Sequence, residues 1–215
     1  MISDRNRKIA ITGAFSALVV VMYITGLGYI PINPQIRYTI LQVPVILATL
    51  LGGLVPGLIT GFVFGLTSLI KSAVMPLSML DPYFLNPLCS IFPRMMIAVV
   101  TWLVFVGLKK IPFLPKAVGG IVAAVIGSLT NTIMVFAMLC IVYFSKITPI
   151  VQNAIDKFPS LANAAYLAIL LSFAPAALIE ALISGIISGA VLISVGIASF
   201  GKSKLNKESK EDEEA

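Results

Sequence analysis

Between Ile9 and Val195 the chain is a succession of apolar stretches, most of them long enough to cross a bilayer as a helix, and this limits the fold more than any motif does. The hydrocarbon core takes roughly 20 residues of helix to cross. Six such spans can be marked: Ile9 to Gly28, Ile40 to Val55, Pro56 to Val74, Leu88 to Leu108, Ala117 to Phe144 and Ala162 to Val195. Charged residues make up 11 % of the chain, where a soluble domain has about a quarter. The mean hydropathy of +1.04 agrees. The expected architecture is an all-α membrane bundle over residues 1–200, followed by a disordered, mixed-charge tail over 201–215.

Spans 5 and 6 exceed the bilayer thickness and imply tilt. Span 2 is short, which suits a helix that is tilted, partly buried or irregular. It joins span 3 through Gly52-Gly53-Leu54-Val55-Pro56-Gly57, a tight helical hairpin. An even number of spans puts both termini on one side. That side collects Arg5, Arg7, Lys8, Lys109, Lys110, Lys116 and the tail lysines, and the rest of the chain holds only Arg37, Lys71, Arg94, Lys146 and Lys157. By the positive-inside rule both termini are expected in the cytoplasm. The apolar run after the basic N-terminus is long enough to span and has no small-residue cleavage site, so it reads as a helix and not as a cleavable signal. The longer loops, Tyr29–Thr39, Met75–Pro87 and Ser145–Leu161, then gather at the outer face.

Composition also restricts chemistry. The chain has no histidine, which excludes His-containing triads, HExxH zinc sites and histidine proton relays. Cys89 and Cys140 lie in or beside apolar helices and read as buried free thiols. Gly196-Ile-Ala-Ser-Phe-Gly-Lys-Ser203 fits the GxxxxGK[ST] pattern, but a phosphate-binding loop needs a strand before it and a helix after it. A membrane helix precedes this one and a short charged tail follows, so ATP hydrolysis by the chain itself is not expected. Nothing points to metal, cofactor or nucleic acid.

The segment Asp81-Pro-Tyr-Phe-Leu-Asn-Pro-Leu-Cys-Ser-Ile-Phe-Pro-Arg94 interrupts this pattern. An arginine set into a membrane helix is expensive and is by default a functional hypothesis. Counting 1.5 Å per residue from the basic end of each span places Lys71, Arg94, Asn131 and Glu180 at a common depth of roughly 22 Å. In one reading Arg94 and Glu180 neutralise each other and Lys71 snorkels to the outer surface. In the other the four line a pocket open to the outside. Arg94 would then fork onto an anionic group, Asn131 would donate and accept, and Glu180 would orient Arg94 or accept from a ligand hydroxyl. Tyr83, Asn86 and Trp102 are candidate walls, Tyr83 equally suiting an interfacial belt and Trp102 ordinary packing.

Small residues recur every fourth position at Gly57, Gly61 and Gly65 and at Gly185 and Gly189, spacing that lets helices approach closely. Packing within the chain explains these. A third stripe, Ala10, Gly13, Ala14 and Ala17, lies beside the basic end of span 1 and could dock another membrane protein.

In length, span number, expected topology and these motifs together, the chain resembles the substrate-binding S component of the energy-coupling factor (ECF) vitamin transporters. Ala10-Ile-Thr-Gly-Ala14 is similar to that family's AxxxA docking motif, and the hairpin from Val43 to Gly53 with Gly61 to Ser68 continues the likeness over residues 5–198. The resemblance implies a bacterial plasma-membrane subunit that captures a vitamin at the outer face. It implies association with a transmembrane coupling (T) subunit and two cytoplasmic ATPases, which hydrolyse the ATP, and delivery by toppling in the membrane. Asn86 to Arg94, with Asn131 in Leu129-Thr-Asn-Thr132, most resembles the pantothenate-type branch. Riboflavin, cobalamin, folate or a pyridoxine-like ligand would use the same scaffold. The competing classes are an intramembrane peptidase, which the lack of histidine and of paired acids disfavours, and a solitary secondary transporter, whose inverted repeats are not evident.

Overall fold

A computed structural model of the protein describes residues 4–33, 36–74, 81–111, 113, 115–143 and 174–195. The loop Ser145–Leu161, the first part of span 6, the GxxxxGK[ST] match and the charged tail lie outside the described residues, as does the first part of the loop Met75–Pro87. The described elements are α1 (Asp4–Thr25), β1 (Tyr29–Asn33), β2 (Ile36–Thr39), α2 (Gln42–Gly52), α3 (Leu54–Val74), a 3-10 turn (Asp81–Leu85), α4 (Pro87–Ser90), α5 (Phe92–Lys109), α6 (Lys116–Tyr143) and α7 (Ala174–Val195). Five membrane-spanning candidates, with α4 and α5 counted as one, and the shorter α2 make up the expected six-helix bundle.

α2 explains the short second span. Its 11 residues rise only about 16 Å, half the hydrocarbon thickness. Every residue from Gln42 to Leu50 is buried, so the helix is wrapped by protein and meets little lipid. Val45, Ile46 and Leu50 form the main core with Val19 and Tyr23 of α1, Phe64 of α3, Ile97 and Phe105 of α5, and Ala123 and Ala124 of α6. Large apolar side chains face outward instead, among them Ile24 on α1, Phe62 and Ile70 on α3, and Leu182 and Ile186 on α7. This inside-and-outside apolarity is what lipid as solvent permits.

The hairpin from α2 to α3 turns on Gly53, whose φ of 97° is open to glycine at little cost. Its N–H donates to Thr49 O at 2.9 Å, ending α2. The glycines of α3 then give α5 a groove. A Cβ on Gly61 would stand 2.7 Å from the Arg94 carbonyl oxygen, and one on Gly65 3.0 Å from that of Ser90. Gly185 and Gly189 do the same for α7 against Val125 and Ile121 of α6. These two stripes pack within the chain, as their spacing implies.

Two local features differ from the sequence reading. The loop Tyr29–Thr39 contains an antiparallel hairpin, Tyr29 opposite Thr39 and Ile30 opposite Tyr38, with an irregularity between Pro31 and Asn33. The fourth span does not run unbroken from Leu88, because α4 ends at Ser90 and α5 begins at Phe92. Pro93 has no N–H to give the carbonyl four residues back, so the i→i−4 ladder fails there.

Candidate functional site

The site grows from the first residue of α2. Gln42 is wholly buried and reaches α6 and α7 at once. Its Nε2 donates to Ser128 Oγ at 2.6 Å and lies 3.4 Å from Ser184 Oγ. Its Oε1 accepts from Asn131 Nδ2 at 3.1 Å. Glu180 Oε1 in turn accepts the backbone N–H of Thr39 at 2.7 Å, which fixes the end of β2 to α7. Glu180, Ser184 and Ser188 follow one another at helical i, i+4 spacing, so one stripe of α7 turns polar groups onto α2 and α6. Asn131, one of the four residues placed at a common depth, is thus held by a residue the sequence reading did not single out. Its only signal was one amide at the head of a helix otherwise apolar but for Thr49.

Arg94 is held in the bundle by the broken helix. It is 7 % exposed, and its Nη1 donates to Cys89 O at 2.9 Å. Cys89 is the residue four positions before Pro93, so the guanidinium satisfies the carbonyl that the proline leaves unpaired. The group also lies over the rings of Phe84 (4.7 Å) and Phe64 (5.5 Å). A planar cation between two rings, with a hydrogen bond fixing one nitrogen, presents a rigid fork of N–H donors.

The remaining candidates have structural partners. Lys71 Nζ donates to Tyr23 O at 3.4 Å and stands 4.8 Å from the Tyr23 ring centroid, tying the end of α3 to α1. Asn86 Oδ1 accepts the Leu88 N–H at 3.0 Å and caps α4. Tyr83 stacks edge-on with Tyr143 at 5.1 Å and packs on a second apolar cluster of Cys89, Val135, Phe136 and Leu139. Trp102 is half-buried, two turns along α5 from Arg94. Cys89 and Cys140 are free thiols.

Ala10, Gly13, Ala14 and Ala17 are all exposed on α1. A Cβ at Gly13 would meet nothing within 4 Å, so among the described residues this stripe is left open where the other two are packed.

An arginine, an asparagine and a glutamate buried in a multi-pass helical membrane protein are costly, and they mark the candidate site of a membrane solute-binding subunit. The family model described as ECF transporter, substrate-specific component matches residues 7–192, and the chain belongs to that family. No curated protein matches the sequence.

Proposed function

We propose that this chain is the pantothenate-capturing subunit of an ECF importer. Family membership supports capture of a small-molecule substrate and work with a T subunit and two ATPases, which supply the hydrolysis of ATP. The distribution of Lys and Arg supports cytoplasmic termini. The hairpin, Arg94 and the Glu180 end of α7 then belong to the outer half, where solute enters.

The observation that carries the ligand assignment is that one bundle buries both the Arg94 fork and hydrogen-bond acceptors on Asn131 and Glu180. Pantothenate has a carboxylate at one end, an amide N–H in the middle and hydroxyls at the other end. Arg94 suits the carboxylate, and Asn131 and Glu180 suit the donors. Tyr83, Phe84 and Phe64 supply apolar wall around the cation. Asn86, Lys71 and Trp102 support this frame. The stripe Ala10, Gly13, Ala14 and Ala17 supports docking on the T subunit, with toppling carrying the loaded site inward.

Calorimetric titration of the detergent-solubilised chain with pantothenate, with riboflavin as control, tests the reading. Saturable one-site binding of pantothenate alone is the expected result. Binding of riboflavin alone, or of neither by chain shown to be ligand-free, removes the pantothenate assignment.

A further inference from the structure

We infer that Gln42 sets the hydrogen-bonding polarity of the binding site: it holds the Asn131 amide so that Asn131 presents its carbonyl oxygen, selecting ligands that place an N–H or O–H against it. The inference rests on the solute-binding reading above and adds a positioning residue outside it. Gln42 Nε2 lies 3.4 Å from Ser184 Oγ. The same nitrogen donates to Ser128. With its nitrogen engaged, Gln42 turns its oxygen to Asn131, and that oxygen can only accept. Asn131 must therefore give its own nitrogen to Gln42. The Asn131 oxygen is left on the other arm of the amide, and it is buried without a hydrogen-bond partner.

Such an amide would otherwise be free to rotate by half a turn and offer either a donor or an acceptor. Here the Gln42 amide, set between Ser128 and Ser184, fixes Asn131. Asn131 is 6 % exposed, and a buried acceptor left empty is unfavourable. A ligand that donates there gains, and one that brings another acceptor is rejected, which is how polar sites discriminate strongly.

The test compares wild type with Gln42→Met, which keeps the side-chain length and removes the relay. Binding of pantothenate is measured beside three analogues, each lacking one donor: the amide nitrogen methylated, or one hydroxyl replaced by hydrogen. Wild type is expected to lose about tenfold in affinity for one analogue. Gln42→Met is expected to bind pantothenate about tenfold more weakly and to discriminate against that analogue less than about twofold. Weaker binding with the discrimination intact would make Gln42 merely structural and overturn the inference, as would a wild type indifferent to every donor. A second measurement needs no ligand and no change at Gln42. In ligand-free wild type labelled with 15N-asparagine, the Asn131 side-chain NH2, assigned by its loss in Asn131→Asp, should exchange slowly with solvent. Fast exchange overturns the inference. A wild type that binds no pantothenate but shows the slow amide removes the vitamin assignment and leaves the Gln42 relay standing.

Discussion

At Arg94, charge, geometry and backbone repair meet in one side chain. Its Nη1 closes the Cys89 carbonyl that Pro93 cannot reach, and its plane lies against Phe84 and Phe64. Arg94→Ala therefore removes the proposed ligand contact and also orphans a buried carbonyl, at a cost of about 1–3 kcal/mol. Arg94→Lys separates the two effects better, because it keeps the charge and loses only the planar fork. The expected outcome is a loss of pantothenate affinity of about ten- to a hundredfold, the worth of a charge-assisted hydrogen bond. Titration checks the affinity, and a thermal melt checks that the fold is kept. An unchanged affinity would take Arg94 out of the site. The sequence pointed to Arg94, Asn131 and Glu180 because ionisable and amide groups inside an apolar span stand out by their cost. It did not point to Gln42, Ser128 or Ser184. Serine is cheap in a membrane helix, where its hydroxyl can bond back to its own turn. Gln42 sits at a span boundary, where a polar residue reads as interfacial. Only the packing of α2 into the middle of the bundle makes it a buried hub.

The elements carry the site because glycine lets them touch. Gly61 faces the backbone at Arg94, with 2.7 Å between a hypothetical Cβ and the carbonyl oxygen. A backbone atom cannot move aside as a side-chain tip can, so Gly61→Ala must push α3 from α5. Overpacking of this kind costs about 1–3 kcal/mol, and each kcal/mol lowers the melting temperature by about 2–4 °C in a chain of this size. The same displacement moves Arg94, so pantothenate affinity should fall with stability. Gly13→Ala is the matched control. Nothing lies within 4 Å of its Cβ, and alanine is the better helix former by about 1 kcal/mol, so its melting temperature should hold or rise. Equal melting losses in the two variants would deny the groove its role. The spans and the glycine stripes were legible because burial length and four-residue spacing are local properties. The hairpin of β1 and β2 was not. Tyr29-Ile-Pro-Ile-Asn33 and Ile36-Arg-Tyr-Thr39 are too short for periodicity to distinguish strand from loop. The anchoring of Thr39 to Glu180 joins residues 141 positions apart. The break between α4 and α5 had its signal in Pro93, but a proline near the start of a span also suits its first turn.

The whole molecule is asymmetric in how firmly its helices are held. α2 is surrounded on every side, whereas α1 buries only Val19 and Tyr23. The two residues that tie α1 down lie toward its far end, where Tyr23 also meets Lys71 and Phe64. Near its N-terminal end the helix shows Ala10, Gly13, Ala14 and Ala17 outward, a shallow face that another helix can approach closely. The proposed ligand site and the proposed docking face therefore lie at opposite ends of the bundle, and a bulky residue at one end should leave the other untouched. Ala14→Trp adds a large side chain to an exposed position, so fold and pantothenate titration should match wild type. Close helix approach depends on small side chains, so co-purification with the T subunit and ATPases should fail, and uptake in cells or vesicles should fall with it. Val21→Trp, on an exposed part of the same helix outside the stripe, should keep both. Normal assembly by Ala14→Trp would remove the docking face. Loss of binding by that variant would mean instead that α1 reports directly on the pocket and that the two ends are coupled within the subunit.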